Sequence, residues 1–135
     1  MKRVAHCCCE MLRVEAEGEP LIVGACSCRQ CQRRTGSVLG VSAYYPSESI
    51  RVSGESKVFA RLGDSGKKLE IHFCPNCGSS LYWEAELRPG IIGVAVGAFT
   101  DPQFPAPTAS VWEESKHPWL NFAHSLEHHP RSRTG

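Results

Sequence analysis

Cysteine is the residue type whose spacing in this chain most clearly indicates chemistry. Seven of the eight cysteines fall into three clusters, which read Cys7-x-Cys9, Cys26-x-Cys28-x-x-Cys31 and Cys74-Pro-Asn-Cys77. Structural zinc is usually held by four protein ligands, whereas catalytic zinc commonly has three and keeps one position for water or substrate. The clusters therefore predict one closed zinc site that stabilises the fold and one open site that could perform chemistry.

A disulfide framework is the main alternative for these cysteines, because an even cysteine total in a small protein is typical of stapled secreted domains. The chain begins Met1-Lys-Arg, and neither an apolar run typical of a signal peptide nor a transmembrane stretch follows. We therefore expect a cytoplasmic protein, in which cysteines stay reduced and act as metal ligands.

Length and charge limit the function classes further. The 135 residues predict one domain over residues 1–130 and a loose tail over residues 131–135. Lys and Arg total 15 against 14 for Asp and Glu, and the net charge of +1 gives no electrostatic case for nucleic acid or an anionic membrane. A small-molecule substrate is left as the expected partner.

The two outer clusters are expected to form the structural zinc site. In Cys74-Pro-Asn-Cys77 the two thiols are separated by a tight turn, which Gly78 permits by adopting a positive φ. Cys7 and Cys9 are expected at the end of a first short strand, where a spacing of two places both sulfurs on one face. Cys8 would then point the other way, as a small buried hydrophobe or alternatively as a spare thiol.

The middle cluster is different because three ligands come from one short segment. Cys26, Cys28 and Cys31 would leave one side of a metal uncovered, so these residues are the candidate catalytic site. A second structural zinc is the alternative, with a fourth ligand from His6, Cys8 or a C-terminal histidine.

Arginines follow the middle cluster closely. Arg29, Arg33 and Arg34 predict an electropositive surrounding that could hold an anionic substrate or a thiolate, although a solvated helical face is equally compatible with them. A substrate-wall role is the alternative for Trp119. Surface or packing roles are expected for the remaining histidines and for the tryptophans, which are His72, His117, His124, His128, His129, Trp83, Trp112 and Trp119.

The elements that must position these residues are mostly strands, since the apolar pattern has a period of two with Gly, Pro and Ser between short runs. A mainly β, single-domain fold with metal-binding loops is expected. The turn signal Gly63-Asp-Ser-Gly66 predicts a hairpin that delivers Cys74. A short helical turn is predicted near Arg29–Thr35, and a second helical segment is predicted around residues 119–125. Strands are predicted before residue 7 and at residues 11–17, 38–45, 50–53, 57–62, 68–73, 80–83 and 91–99.

Together these motifs resemble a known family. The run Cys26-Ser-Cys28-Arg-Gln-Cys31-Gln-Arg33-Arg34-Thr-Gly36, with Cys7-x-Cys9 upstream and Phe73-Cys74-Pro-Asn-Cys77-Gly78 downstream, resembles the glutathione-dependent formaldehyde-activating (GFA) family, also called GFA/CENP-V. The resemblance implies an Mss4-like fold of antiparallel sheets. It also implies one structural zinc at Cys7, Cys9, Cys74 and Cys77 and a second, exchangeable zinc at Cys26, Cys28 and Cys31.

The activity that the resemblance implies is the condensation of glutathione with formaldehyde to S-(hydroxymethyl)glutathione, a carbon-sulfur lyase reaction. Arg33 and Arg34 are the candidate residues for binding the glutathione co-substrate. The chain departs from the family pattern at Ser27, where many members have histidine, and at Glu10, where glycine is common. A non-catalytic, zinc-stabilised binding module is the alternative function. A methionine sulfoxide reductase would need a reactive, metal-free cysteine, and only Cys8 lies outside the clusters.

Overall fold

The fold is mainly β, as the sequence predicts, in a computed structural model that describes residues 1–133. The chain divides into two compact units, which are described separately. The first unit contains residues 1–21 and 43–104, and the second contains residues 22–42 and the chain from residue 105 onward. Within residues 1–133, no helix has the length and apolar character needed to cross a membrane.

A three-stranded antiparallel sheet opens the first unit. It consists of β1 (Lys2–His6), β2 (Arg13–Glu17) and the later strand Ile50–Ser53, in the order β1, β2, Ile50–Ser53. Val14 and Ala16 of β2 are buried, while Arg13 and Glu15 are only half-buried, which confirms the predicted alternation. The short strand β1 ends where Cys7 begins, so this sheet positions the first cysteine pair.

Numbered in chain order, the next strands are β4 (Gly40–Pro46), β5 (Ile50–Ser53), β6 (Lys57–Leu62), β7 (Lys68–Phe73), β8 (Ser80–Ala85) and β9 (Ile91–Ala95). In the first unit β6 pairs with β7, β7 with β8 and β8 with β9, and all three pairings are antiparallel. Only residues 43–46 of β4 belong to this unit. The predicted hairpin between β6 and β7 is confirmed, since Gly63 N–H donates to Lys67 O at 2.8 Å. The pairing of β7 with β8 shifts between His72 and Phe73, immediately before Cys74. The hairpin thus delivers the second cysteine pair, and the buried side chains of this unit include Leu12, Tyr45, Ile71, Leu81, Trp83 and Val94.

The second unit is built on parallel pairing. Strands β3 (Ile22–Cys26), β10 (Ala109–Val111) and β11 (Glu127–His128) lie in the order β11, β10, β3, and both pairings of β10 are parallel. The resemblance implies antiparallel sheets, and these two pairings depart from it. Parallel neighbours need a long connection between strands, and the chain between Cys26 and Ala109 supplies it.

Helix α1 (Arg29–Thr35) covers the residues near which a helical turn is predicted. Cys28 caps its first turn, and Gly36 ends it with φ +70° while its N–H donates to Gln32 O. The helix predicted around residues 119–125 is wrong. The Lys116 ammonium donates to Leu120 O, and Leu120 N–H donates to His117 O, so this segment forms turns instead.

The other differences concern element bounds. The strand predicted over residues 38–45 begins at Gly40 and ends at Pro46, and that predicted over residues 91–99 ends at Ala95 in a short 3₁₀ turn, Val96–Phe99. Residues 131–133 are described, and Arg131 O accepts a hydrogen bond from Trp112 N–H at 2.9 Å. Residues 134 and 135 of the predicted tail lie outside the described residues. The assignment of residues 1–130 to one domain stays a prediction.

Candidate metal centres

The two outer cysteine pairs meet in the first unit. Each of the four ligand sulfurs lies within 4.8 Å of the other three, in the group Cys7, Cys9, Cys74 and Cys77. The Sγ atoms of Cys7 and Cys74 each lie 3.6 Å from Cys9 Sγ. Zinc–sulfur bonds of about 2.3 Å in a tetrahedron place the sulfurs about 3.8 Å apart. The four sulfurs therefore fit a tetrahedral zinc ion.

Two tight turns bring these sulfurs together. Cys7 N–H donates to Leu12 O at 3.0 Å, and Glu10 N–H donates to Cys7 O at 3.0 Å. Glu10 has φ +68°, a left-handed conformation that favours glycine. In the second turn Gly78 has φ +80°, and its N–H donates to Cys74 O at 2.8 Å. The role expected for Gly78 is thus confirmed, and Glu10 occupies a backbone position suited to glycine.

The environments of the four thiols differ strongly. Burial raises the pKa of the Cys7 thiol to about 11. The Ser79 hydroxyl lowers the pKa of Cys77 to about 5, and its Oγ lies 3.3 Å from Cys77 Sγ. The Asn76 side chain is the main cause that lowers the pKa of Cys9. Crowded sulfurs of this kind share protons with one another, and a bound dication would stabilise all of them as thiolates.

Cys8 is exposed, so the expectation that it is a small buried hydrophobe is wrong. The physical reason is that residues 7–10 form a turn and not extended chain, so the two-residue alternation of a strand does not apply. Cys8 N–H instead donates to Ser79 Oγ at 3.1 Å. All eight cysteines are free thiols, in agreement with metal ligation and not with a disulfide framework.

The middle cluster lies in the second unit, where β3 ends and α1 begins. Cys26 is the last residue of β3, Cys28 is the N-cap of α1, and Cys31 lies in the first turn of the helix. Cys31 N–H donates to Cys28 Sγ at 3.3 Å. The three Sγ atoms lie within 4.8 Å of one another and are half-buried. The strand-to-helix transition therefore gathers three ligand sulfurs within one segment.

The three thiols of the middle cluster perturb one another. Hydrogen bonds from Cys26 and then Cys31 lower the pKa of Cys28 to about 2, against the opposing effect of burial. The hydrogen bond to Cys28, followed by that to Cys31 and by burial, raises the pKa of Cys26. The hydrogen bond with Cys26 lowers the pKa of Cys31, but that with Cys28 and burial raise it more. The two neighbouring thiols thus favour the thiolate form of Cys28, and these soft sulfur donors suit zinc.

Among the arginines, Arg34 has the clearest connection to the cluster. It is half-buried, and its positive charge acts to lower the pKa of Cys31. A Cβ added to Gly40 would lie 2.6 Å from the Arg34 Nη2 and 3.5 Å from the Cys31 Cβ, which places both side chains over the same glycine. Arg29 and Arg33 are exposed. The role of Arg33 and Arg34 in binding a co-substrate stays a prediction.

The middle cluster supplies three potential metal ligands. In the part of the second unit that the structure describes, no further His, Cys, Asp or Glu joins Cys26, Cys28 and Cys31. The C-terminal histidines make other contacts: His124 Nε2 lies 2.7 Å from Pro107 O, and His128 Nδ1 lies 2.8 Å from a Glu113 carboxylate oxygen. The cluster therefore has the ligand number of an open zinc site.

Two residues near this cluster were not identified from the sequence. Gln32 and Ser115 both donate hydrogen bonds to the carbonyl of Ser27, which lies between Cys26 and Cys28. Neither residue type indicates a site, and Ser115 is far from the cluster in the chain. Of the tryptophans, Trp83 is buried, Trp112 lies under the Arg131 guanidinium, and Trp119 is exposed.

Comparisons with known proteins identify a family and a fold that this chain resembles. A family model described as "Glutathione-dependent formaldehyde-activating enzyme" matches residues 2–115. A protein of Emericella nidulans, provisionally named a glutathione-dependent formaldehyde-activating enzyme, is 24% identical over 87 residues. That alignment covers 64% of this chain but only 44% of the relative. A solved structure of a Rhodobacter sphaeroides protein has a similar fold, with a TM-score of 0.54 and 22% identity over 70% of this chain and 85% of that one.

Proposed function

Since this chain belongs to the glutathione-dependent formaldehyde-activating enzyme family, we propose that it is a zinc-dependent enzyme that adds a thiol such as glutathione to formaldehyde or a related small aldehyde. The observation that carries the proposal is the group of three half-buried cysteines, Cys26, Cys28 and Cys31, without a fourth ligand from the described part of its unit. Three protein ligands leave one coordination position for a substrate. The four-cysteine group has the complementary role of stabilising the fold.

The reaction needs a sulfur nucleophile and a polarised carbonyl. A zinc ion held by Cys26, Cys28 and Cys31 would supply Lewis acidity, which polarises a carbonyl or favours a thiol in its thiolate form. The thiol sulfur bonds to the carbonyl carbon, the electron pair of the carbonyl double bond moves to oxygen, and that oxygen takes up the proton that the thiol releases. Arg34 would attract a carboxylate of the thiol substrate towards the cluster. The reverse reaction breaks a carbon–sulfur bond, so the proposed class is a carbon-sulfur lyase.

We also propose that the protein acts in the cytoplasm on small molecules and not on nucleic acid or membranes. The net charge of +1 supports this, because it provides no broad attraction for polyanions. The eight free thiols are in keeping with a reducing compartment.

Exchange NMR is a suitable test, because thiols and formaldehyde also combine spontaneously. The exchange rate between free and glutathione-bound formaldehyde is measured at equilibrium with the zinc-loaded protein, with the Cys28→Ser variant and with buffer alone. We expect the parent to accelerate exchange and Cys28→Ser to match buffer. The Cys8→Ser variant is the matched control, since Cys8 belongs to neither metal group, and it should keep the parent rate. Parent exchange no faster than buffer, with zinc bound at the middle cluster, would refute the proposed activity.

One observation favours the alternative of a non-catalytic binding module. The strand β6, which lies at the end of its sheet, exposes three apolar side chains, those of Val58, Phe59 and Leu62. Exposed apolar side chains on such a strand are suited to contact with another protein. A parent protein that fails to accelerate exchange would leave this alternative as the better account.

A further inference from the structure

The peptide of Ser27 joins two of the three candidate ligands, Cys26 and Cys28, and it is held more firmly than its loop position suggests. Ser27 is 0% exposed. Its N–H donates to Val111 O at 3.1 Å, which continues the parallel pairing of β3 with β10 by one residue. The backbone between the two ligands is therefore anchored on its donor side.

The carbonyl of Ser27 is anchored as well, by two side chains. Gln32 Nε2 donates to Ser27 O at 2.8 Å, and Ser115 Oγ donates to the same oxygen at 2.9 Å. Gln32 Nε2 also donates to the backbone carbonyl of Ser115 at 3.1 Å, so the Gln32 side chain is linked to the turn that carries Ser115. We call this arrangement of Gln32 and Ser115 on the Ser27 carbonyl the brace.

The turn that carries Ser115 is itself fixed by unusual backbone geometry. Trp112 has φ +57°, which is uncommon for a bulky side chain, and Trp112 O accepts a hydrogen bond from Ser115 N–H at 3.2 Å. The Arg131 guanidinium carbon lies 4.9 Å from the Trp112 ring centroid. Three successive N–H groups donate to three carbonyls of the C-terminal segment: those of Trp112, Glu113 and Glu114 donate to Arg131, His129 and Pro130, respectively.

We propose that Gln32 and Ser115 are positioning residues that fix the Ser27 peptide and so present Cys26 and Cys28 as a preformed pair of metal ligands. This inference rests on the proposed function only in that it takes the middle cluster to bind a metal. Neither brace residue contacts the metal or a substrate; both act through the backbone between the ligands. Partners that orient metal ligands from outside the coordination shell typically contribute about 10-fold to 100-fold in metal affinity. The brace is expected to act at the lower end of this range, because it holds a peptide and not a ligand atom.

Cobalt titration of the metal-free full chain under reducing conditions tests the brace. Cobalt replaces zinc in cysteine sites, and its sulfur charge-transfer absorption reports the coordination, while a competing chelator gives the affinity. The parent should bind two cobalt ions and Cys28→Ser only one, which assigns the second ion to the middle cluster. We expect Gln32→Ala and Ser115→Ala to lower the affinity for the second cobalt ion about 10-fold and to leave the affinity for the first ion unchanged. Ser115→Thr keeps the hydroxyl donor and should restore the affinity.

The helix also provides a matched control. Gln30 is the same residue type on α1, is exposed, and lies two positions from Gln32, so Gln30→Ala should leave both affinities at the parent values. If Gln32→Ala fails to fold, the smaller change Ser115→Ala decides the question. Affinities within about two-fold of the parent in both brace variants would overturn the brace and leave the proposed function standing. A parent that binds only one cobalt ion, with no further loss in Cys28→Ser, would overturn both.

Discussion

A methyl group added to Gly93 provides a sharp test of the packing in the first unit. Gly93 of β9 is the registered partner of Trp83 on β8. A Cβ at Gly93 would overlap Trp83 Nε1 and would lie 2.6 Å from its Cδ1 and 3.0 Å from its Cε2. Carbon atoms in ordinary contact are about 3.5 to 4.0 Å apart, so the indole would have to move by about 1 Å.

The indole has little room for such a movement. Trp83 is only 6% exposed, and protein interiors are packed too densely to absorb a displaced ring without strain. Overpacking of this kind costs about 1 to 3 kcal/mol, and we expect about 2 kcal/mol for Gly93→Ala. For a chain of this size 1 kcal/mol changes Tm by about 4 °C, so Tm should fall by about 8 °C.

Urea denaturation of the zinc-saturated protein, followed by tryptophan fluorescence and circular dichroism, measures this change in the free energy of unfolding. Gly97→Ala is the matched control, because nothing lies within 4 Å of the added Cβ and the φ of Gly97 is not positive. It should be neutral or stabilise by up to about 1 kcal/mol. Equal stabilities of Gly93→Ala and Gly97→Ala would refute the packing of Trp83 over Gly93.

Three further predictions concern the cysteine groups and their surroundings. Glu10→Gly should stabilise the protein by about 1 kcal/mol in urea denaturation, because Glu10 has φ +68°; a loss of stability would contradict the strain. Cys77→Ser should remove one zinc ion per chain by metal analysis, whereas Cys8→Ser should remove none. Burial raises the pKa of Glu113, but the Ser110 hydroxyl and His128 lower it more, so its folded pKa lies below the unfolded value. The resulting stability is present above about pH 4.3 and is lost as the pH falls through the folded pKa, so Glu113→Gln should flatten the fall of Tm between roughly pH 5 and 3. Glu114→Gln, at an exposed neighbour, should keep the parent slope, and equal slopes in both variants would contradict this assignment.

The sequence pattern was sufficient to predict those helices and hairpins that are determined by residues close together in the chain. A short helical segment was predicted near Arg29–Thr35, and the observed helix covers these residues, with Cys28 as its cap and Gly36 at its end. The hairpin of β6 and β7 followed from alternating side chains around the Gly63–Gly66 turn. The strands β3, β10 and β11 were missed, because they have five, three and two residues and are defined by pairing partners far away in the chain. Such pairing leaves no periodic signal in the sequence.

The residues of the candidate metal sites also fall into those that the sequence predicted and those that it did not. Spacing alone was sufficient to separate the seven cysteines into a group of four and a group of three, and the sulfur positions agree with that division. Spacing was misleading at Cys8, where an extended chain was assumed and a turn is present. Gln32 and Ser115 could not be found from the sequence, since they are 83 residues apart and meet through backbone carbonyls.

Zinc content per chain shows whether the middle cluster is a second, open metal site beside the four-cysteine group. The parent protein and the Cys28→Ser variant are purified under reducing conditions without chelator, and zinc per chain is measured together with circular dichroism. We expect two zinc ions in the parent and one in the variant, with the fold retained. A single zinc ion in the parent that persists in Cys28→Ser, with none gained at the middle cluster under any reducing condition, would show that this cluster is not a metal site.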